Sequence, residues 1–263
     1  MSLVLSDPSQ VVDSITAFIK KTFQAQGKQR AVIAISGGID SALALTLLAQ
    51  SLPKDNIFPV FLPYGAQPIE DSQLIAEFTQ IPKENWQTIN IAPIVDAAAT
   101  QLILGEDARR KGNLMARSRM MVVFDLAKEK DALVCGTENK SEHSLGYFTR
   151  FGDAASDVEP ICHLYKTQVR QLANFLNIPA NFLEKAPSAG LWTEQTDEKE
   201  LGFSYEIADQ VLDQVVDGHQ PAAQVTVAGV PPETVQAVIH QVQQNHFKQE
   251  VPYSLKEDST WIK

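Results

Sequence analysis

Apolar residues follow two rhythms along this chain. After Ser6-Asp7-Pro8, a cap with Pro in the first turn, Val11, Ile15, Phe18, Ile19 and Phe23 recur at helical spacing and predict an amphipathic helix over 6–26. RAVIAI at 30–35 is instead a short β-branched run ending in Ser-Gly-Gly, the pattern of a strand buried in a parallel sheet. The alternation continues with helix 40–50, strand 56–63, a helix over 69–80 opened by Pro68, strand 86–91, helix 93–104, a long helix 113–130 and strand 132–137. Strands and helices taking turns in this way predict an α/β fold, a doubly wound parallel sheet flanked by helices on both faces.

Beyond Thr137 the rhythm stops. Residues 138–165 hold many Gly, Asp and His without a period, which predicts a functional loop region. Helices are expected at 166–177 and 180–186, then a mobile polar loop, APSAGLWTEQTDE, containing Trp192. Two more helices are expected at 203–217 and 231–246, the second with Val235, Val238, Ile239 and Val242 facing inward. The tail from Lys248 onward carries no period. No repeat or linker divides the chain, so one domain over 1–263 is expected.

Charge narrows the ligand classes. With 22 Lys and Arg against 32 Asp and Glu, the net charge is −10, which argues against a broad grip on nucleic acid. An anionic ligand must be held by a local set of basic groups and backbone N–H donors. Cys135 and Cys162 form no CxxC, so neither a disulfide framework nor a cysteine zinc site is expected. Cys135 reads as a buried apolar residue, and the histidines have no metal-ligand spacing. MSLVLSDPSQ lacks the n- and h-regions of a signal peptide, and no apolar run is long enough for a membrane span. A cytoplasmic protein without membrane partners is expected.

The strongest chemical signal is Ala34-Ile35-Ser36-Gly37-Gly38-Ile39-Asp40-Ser41, set between a predicted strand and a predicted helix. The glycine pair permits a sharp turn and close backbone approach to a ligand. Ser36, Ser41 and the free N–H groups of the helix start can donate to phosphate oxygens. Asp40 would repel bare phosphate but suits Mg²⁺ bridging to it. The Gly-Lys-Ser/Thr ending of a Walker A loop is absent. The pattern matches the SGGxDS loop of the ATP pyrophosphatases, which cleave ATP to AMP and pyrophosphate and serve both amide-forming ligases and tRNA-modifying enzymes.

A second set of motifs leaves the end of the fourth predicted strand, where ligands sit in open α/β sheets. SGGIDSA, GNLMARSRM, GTENKSE, GYFTRFGD, LYKTQVRQLA and APSAGLW occur in that order. Together they resemble ammonia-dependent NAD⁺ synthetase, from about residue 30 to the C-terminus. The resemblance implies an adenine nucleotide alpha hydrolase-like, Rossmann-like fold. It implies that Ala34, Ile35, Ser36, Gly37, Gly38, Ile39, Asp40 and Ser41, with Thr137, Lys166 and Ser188, hold ATP. It places Mg²⁺ on Asp40 and Glu142, and deamido-NAD⁺ on Asn113, Arg117, Arg150, Asp157, Phe247 and Lys248. Ala34 stands where the family usually has Gly. Alignment on Pro252 puts Phe247-Lys248 where some members have a His-Lys pair, with His246 one position early.

The implied reaction is ATP-dependent amidation of deamido-NAD⁺ by ammonia through an acyl-adenylate, giving NAD⁺, AMP and pyrophosphate. Asp40, Lys166, Ser36 and Ser41 carry the adenylation step by charge and position, with no covalent nucleophile. Only about thirty residues precede the first strand, too few for a glutaminase domain, so the expected nitrogen source is free or partner-delivered ammonia. The competing readings are a tRNA-modifying ATP pyrophosphatase, opposed by the acidic charge and the lack of a Cys pair, and a non-catalytic ATP-binding module, which has no need of both Asp40 and Glu142. A homodimer is expected, because ATP fills the crevice of one sheet and the dinucleotide needs a second wall. Helix 113–130 is the interface candidate, with Leu114, Met115, Met121, Val122, Val123, Phe124 and Leu126 apolar over more than one stripe. The basic run Arg109-Arg110-Lys111 reads as a solvated loop. Arg117 and Arg119, two apart, cannot share a helix face, so one of them is expected to be structural.

Overall fold

Three apolar clusters organise the chain in a computed structural model that describes residues 3–188, 190–191, 195–250 and 252–253. The element order is α1 (Pro8–Ala25), β1 (Arg30–Ala34), α2 (Ile39–Ser51), β2 (Ile57–Phe61), α3 (Glu70–Phe78), β3 (Gln87–Thr88), α4 (Ala92–Gln101), α5 (Ala108–Lys130) and β4 (Ala132–Cys135). Helices α6 (Lys140–Leu145), α7 (Lys166–Phe175), α8 (Ala180–Glu184), α9 (Asp197–Leu201), α10 (Tyr205–Leu212) and α11 (Pro232–Asn245) follow. The strands form one parallel sheet in the order β3-β2-β1-β4. The chain leaves β1 first toward β2 and later returns to β4 on the other side. The crevice of a doubly wound sheet therefore falls between the carboxyl ends of β1 and β4.

Helices cover both faces. One cluster joins α1, α2, α7 and α8 to the sheet, and α2 is its centre, with Leu43, Ala44, Leu45, Leu47 and Leu48 all buried. On the other face, α4 and α5 pack Val95, Met115, Val123 and Leu126 against Val32, Val60 and Val134. A third cluster, beside the sheet, gathers α6, α10 and α11 around Leu145, Tyr205, Leu212, Val238 and Ile239. Among the described residues no helix is long and apolar enough to cross a membrane.

Several local expectations change. Phe18 is exposed, because the buried stripe of α1 runs through Val12, Ile15, Ile19 and Phe23 and Phe18 points about 100° away from Ile19. The third strand shrinks to Gln87–Thr88, although the N–H groups of Ile89 and Ile91 still donate to the carbonyls of Phe61 and Pro63 at 2.9 Å. The long helix starts at Ala108, not 113. Asp107 caps it by accepting the Arg110 N–H at 2.9 Å, so Arg109-Arg110-Lys111 form its first turn and not a loop. Its apolar residues are mostly spent within the chain: Met115, Val123 and Leu126 are buried, Leu114, Val122 and Phe124 are half-buried, and Met121 is 50% exposed. Residues 138–165 contain α6, and the polar loop ends in α9. Helix 203–217 resolves into α10 and a π turn over Asp213–Asp217. Trp192 lies outside the described residues.

Candidate active site

The phosphate-type loop sits where the sheet directs it. Ile35 continues β1, its N–H donating to the Val60 carbonyl at 3.0 Å, and the chain then turns through Ser36-Gly37-Gly38 into α2. Gly37 has φ +77°, and a Cβ there would lie 3.2 Å from Asp71 Cβ and Ser72 Oγ. Ser36 Oγ and Ser41 Oγ lie 3.1 Å apart, the Gly38 N–H donates to Ser36 Oγ at 3.2 Å, and Ser41 Oγ donates to the Gly38 carbonyl at 3.0 Å. No side chain caps the N-terminus of α2. A central helix with an uncapped start, hydroxyls and a glycine turn is an anion-binding arrangement.

Behind this loop lies a buried charge cluster. Lys166 opens α7 and is 2% exposed, with Nζ 2.6 Å from Asp40 Oδ2 and 3.0 Å from Glu142 Oε1. Its ammonium also sits 5.1 Å from the centre of the Tyr205 ring. Burial alone would lower the lysine's pKa, but Asp40 and Glu142 outweigh it and hold it above its ordinary value. Burial raises Glu142, with Lys166 opposing and Asp40 adding to the rise. Asn139 is fully buried and orients the pair: its Oδ1 caps α6 by accepting the Glu142 N–H at 3.0 Å, and its Nδ2 donates to Asp40 Oδ1 at 2.8 Å. Asn139-x-x-Glu142 is a capping box, so the signal for Asn139 is present in GTENKSE.

All of this opens on one cleft of about 420 Å³. Its wall includes residues 34–40, Thr137, Glu142, Lys166 and Ser188, while Ser41 is buried just behind. Arg119, Glu138, Lys185 and Asp197, outside the expected set, also line it. Arg119 donates to the Leu62 carbonyl at 3.0 Å and to Gln67 at 3.1 Å. Lys185 Nζ donates to the Gly37 carbonyl at 3.3 Å and pairs with Asp71 at 2.7 Å. Asp197 is 3% exposed, accepts the Tyr205 hydroxyl at 3.1 Å and leaves Oδ1 without a partner. These residues come from α5, the loop after β4, the end of α8 and the start of α9, and carry no mutual spacing in sequence.

The residues expected to meet the dinucleotide do not line this cleft. Most gather in a neighbouring patch. Arg117, exposed, donates to the Arg150 carbonyl at 3.3 Å, and the Arg150 guanidinium lies 5.1 Å from the Phe247 ring centre. Lys248 Nζ donates to the Gly146 and Phe148 carbonyls at 2.6 and 3.0 Å. Asn113 accepts from Thr149 Oγ1 at 2.8 Å. Asp157 stands apart: its carboxylate accepts the Val134 N–H at 2.8 Å and so caps the edge of β4. Cys135 is buried, and burial pushes its thiol up and makes it inert.

The family model for NAD synthase matches residues 11–252. The chain belongs to the NAD synthase family. It is 38% identical over 248 residues to the NH₃-dependent NAD⁺ synthetase of Thermococcus kodakarensis, covering 94% of this chain and 96% of that one. Among solved structures, the NMN synthetase of Francisella tularensis superposes with a TM-score of 0.81 at 31% identity, over 96% of this chain and 99% of that one. The NH₃-dependent NAD synthetase of Campylobacter jejuni superposes with a TM-score of 0.79 at 28% identity, over 96% and 100%. The doubly wound fold expected from the strand–helix alternation is that of the NAD synthase family.

Proposed function

We propose that this chain is an ATP-dependent ligase that amidates deamido-NAD⁺ with ammonia, giving NAD⁺, AMP and pyrophosphate. The observation that carries the reading is the convergence of Asp40, Glu142 and Lys166 beneath a Ser-Gly-Gly loop on one cleft, in a chain of the NAD synthase family. The carboxylate of the dinucleotide attacks the α-phosphorus of ATP, and pyrophosphate leaves. Ser36, Ser41 and the amides at the start of α2 hold the departing phosphates, and Lys166 supplies a cation there. Thr137 and Ser188 contact the nucleotide from the opposite loops. Ammonia then attacks the acyl-adenylate and AMP departs. The work is positioning and charge neutralisation.

The donor set suits Mg²⁺. Asp40 and Glu142 offer hard oxygen ligands that already converge on one cation, Lys166 Nζ. Among the described residues no group of three or more His, Cys, Asp or Glu side chains is spaced to hold a metal ion, so water and phosphate oxygens would complete the shell, as is usual for this ion. When bound, Mg²⁺ neutralises charge developing on the phosphates.

The dinucleotide would extend from the cleft to the patch of Asn113, Arg117, Arg150, Phe247 and Lys248, while Asp157 holds β4 through the Val134 N–H. That patch is open to solvent on Arg117 and Phe247, and a two-fold dimer would supply its second wall. We place the enzyme in the cytoplasm as a single domain without nucleic-acid or membrane partners. The test is pyrophosphate exchange into ATP with deamido-NAD⁺, nicotinate mononucleotide or tRNA as the acceptor. Exchange that depends on the dinucleotide supports the reading. Exchange driven better by the mononucleotide, the substrate class that the Francisella neighbour's name raises, or by tRNA, overturns its substrate.

A further inference from the structure

Two carboxylate oxygens on the cleft wall lack a hydrogen-bond partner, Asp197 Oδ1 near Lys166 and Glu138 Oε1 at the end of β4. Glu138 follows β4, and its side chain is only 10% exposed. Its Oε2 faces His143 Nδ1 at 3.5 Å, while Oε1 is buried and accepts no hydrogen bond. Leaving a buried carboxylate oxygen unpaired is costly, so such an atom at a cleft wall points to a ligand that donates to it.

The surroundings select the kind of donor. Glu159 lies directly behind. Its Oε2 accepts the Glu138 N–H at 3.1 Å, and its Oε1 accepts from Ser156 Oγ at 2.7 Å. The Glu159 carboxyl occupies the space beside Gly136, where a Cβ would fall 1.8 Å from Oε1. Burial pushes Glu159 up to about 7, against the Ser156 bond, and the charge of Glu138 adds to the rise. The other groups that act on this corner are Asp153, the Cys162 thiol, His143 and Lys248. The carboxyl groups outnumber the two cationic side chains, and His143 meets Oε2 and not Oε1. A neutral hydroxyl or carboxamide could satisfy Oε1 without such neighbours, and an anionic part of a substrate would be repelled. A small cation with N–H donors fits.

We infer that Glu138 binds the ammonium ion that supplies the new amide nitrogen and accepts the proton that ion must lose. The inference rests on the reading of the chain as an ammonia-using ligase. Ammonium has no lone pair and cannot attack. One N–H proton passes to Glu138 Oε1, and the freed lone pair forms the C–N bond at the acyl carbon. The C–O bond to AMP breaks with its electron pair on the phosphate oxygen. The nitrogen loses its second proton to that phosphate, and Glu138 returns its own proton to solvent.

Glu138→Gln keeps the shape but removes the charge and the basicity. Steady-state kinetics should show the KM for ammonium rising about tenfold or more, with the KM for ATP within about twofold of the parent. Pyrophosphate exchange without ammonium should persist, because adenylation precedes nitrogen entry. Raising the pH should recover part of the lost rate, as free ammonia replaces ammonium. An unchanged ammonium KM, or exchange falling in step with amide synthesis, overturns the inference. Glu138→Asp, which keeps the charge but withdraws the oxygen, should fall between parent and Gln, and parent-like ammonium kinetics in it would also count against the inference. Failure of the parent to catalyse dinucleotide-dependent exchange would instead sink the ligase reading, so the two failures are separable.

Discussion

Lys166 Nζ and Asp40 Oδ2 lie 2.6 Å apart although 126 residues separate them in sequence. Glu142, 3.0 Å from the same nitrogen, adds a third element to the contact. The starts of α2, α6 and α7 are thus tied through one buried charge.

Replacing Lys166 by Met should therefore damage stability as well as activity. Two carboxylates would face each other without a counter-charge, and breaking a buried pair from one side costs about 3–5 kcal/mol. The loss should shrink on acidification, as Glu142, which burial already raises, takes up its proton. Chemical denaturation at neutral and acidic pH checks this. Equal loss at both would mean that the pair is not electrostatically linked.

Asp40→Asn preserves the shape and a polar contact to Asn139 but removes an anionic ligand. The folded state should persist by circular dichroism. Pyrophosphate exchange should fall at least ~100-fold, the scale of losing one organised electrostatic element. Near-normal exchange at saturating Mg²⁺ would remove Asp40 from the metal-binding role.

Gly136→Ala should be poorly tolerated, since the new methyl would lie 1.8 Å from Glu159 Oε1 and 2.3 Å from its Cδ. Forced repacking of this kind costs about 1–3 kcal/mol. Combining it with Glu159→Ala should cost less than the two changes added together, because the clash disappears. Simple additivity in denaturation midpoints would show that the glycine is needed for another reason.

The parts of this architecture carried by local pattern were legible in the sequence. The apolar runs that become β1, β2 and β4 are largely buried, so their apolar content is continuous, and the glycine turn before α2 is a local event. Residues whose role depends on distant partners were not legible. Arg119 and Lys185 sit on the cleft wall through contacts with Leu62, Gln67, Gly37 and Asp71, which no spacing announces. Phe18 followed the helical count but fell outside the stripe that packs on α2 and α7. The first turn of α5 read as a loop because its residues are charged, while Asp107 supplied the cap that starts the helix.

Glu159 also sets a pH dependence. Burial lifts its carboxyl from 4.5 to about 7 in the folded chain, so the folded state keeps a proton that the unfolded state gives up between those values. The associated stability is full below the lower value and is lost as pH rises through the upper one, at most about 3 kcal/mol. Denaturation of the parent should show lower stability at about pH 8 than at about pH 5 from this group, and Glu159→Gln should flatten that slope. An unchanged slope in the variant would assign the dependence elsewhere.

The central claim is tested most directly by following the nitrogen. The purified chain is incubated with ATP, Mg²⁺, deamido-NAD⁺ and isotope-labelled ammonium, and the products are resolved by mass spectrometry. The account predicts NAD⁺ with the label in its carboxamide and AMP in equal amount. Formation of ADP in place of AMP, unlabelled NAD⁺, or no dinucleotide product while nicotinate mononucleotide is amidated under the same conditions would contradict it.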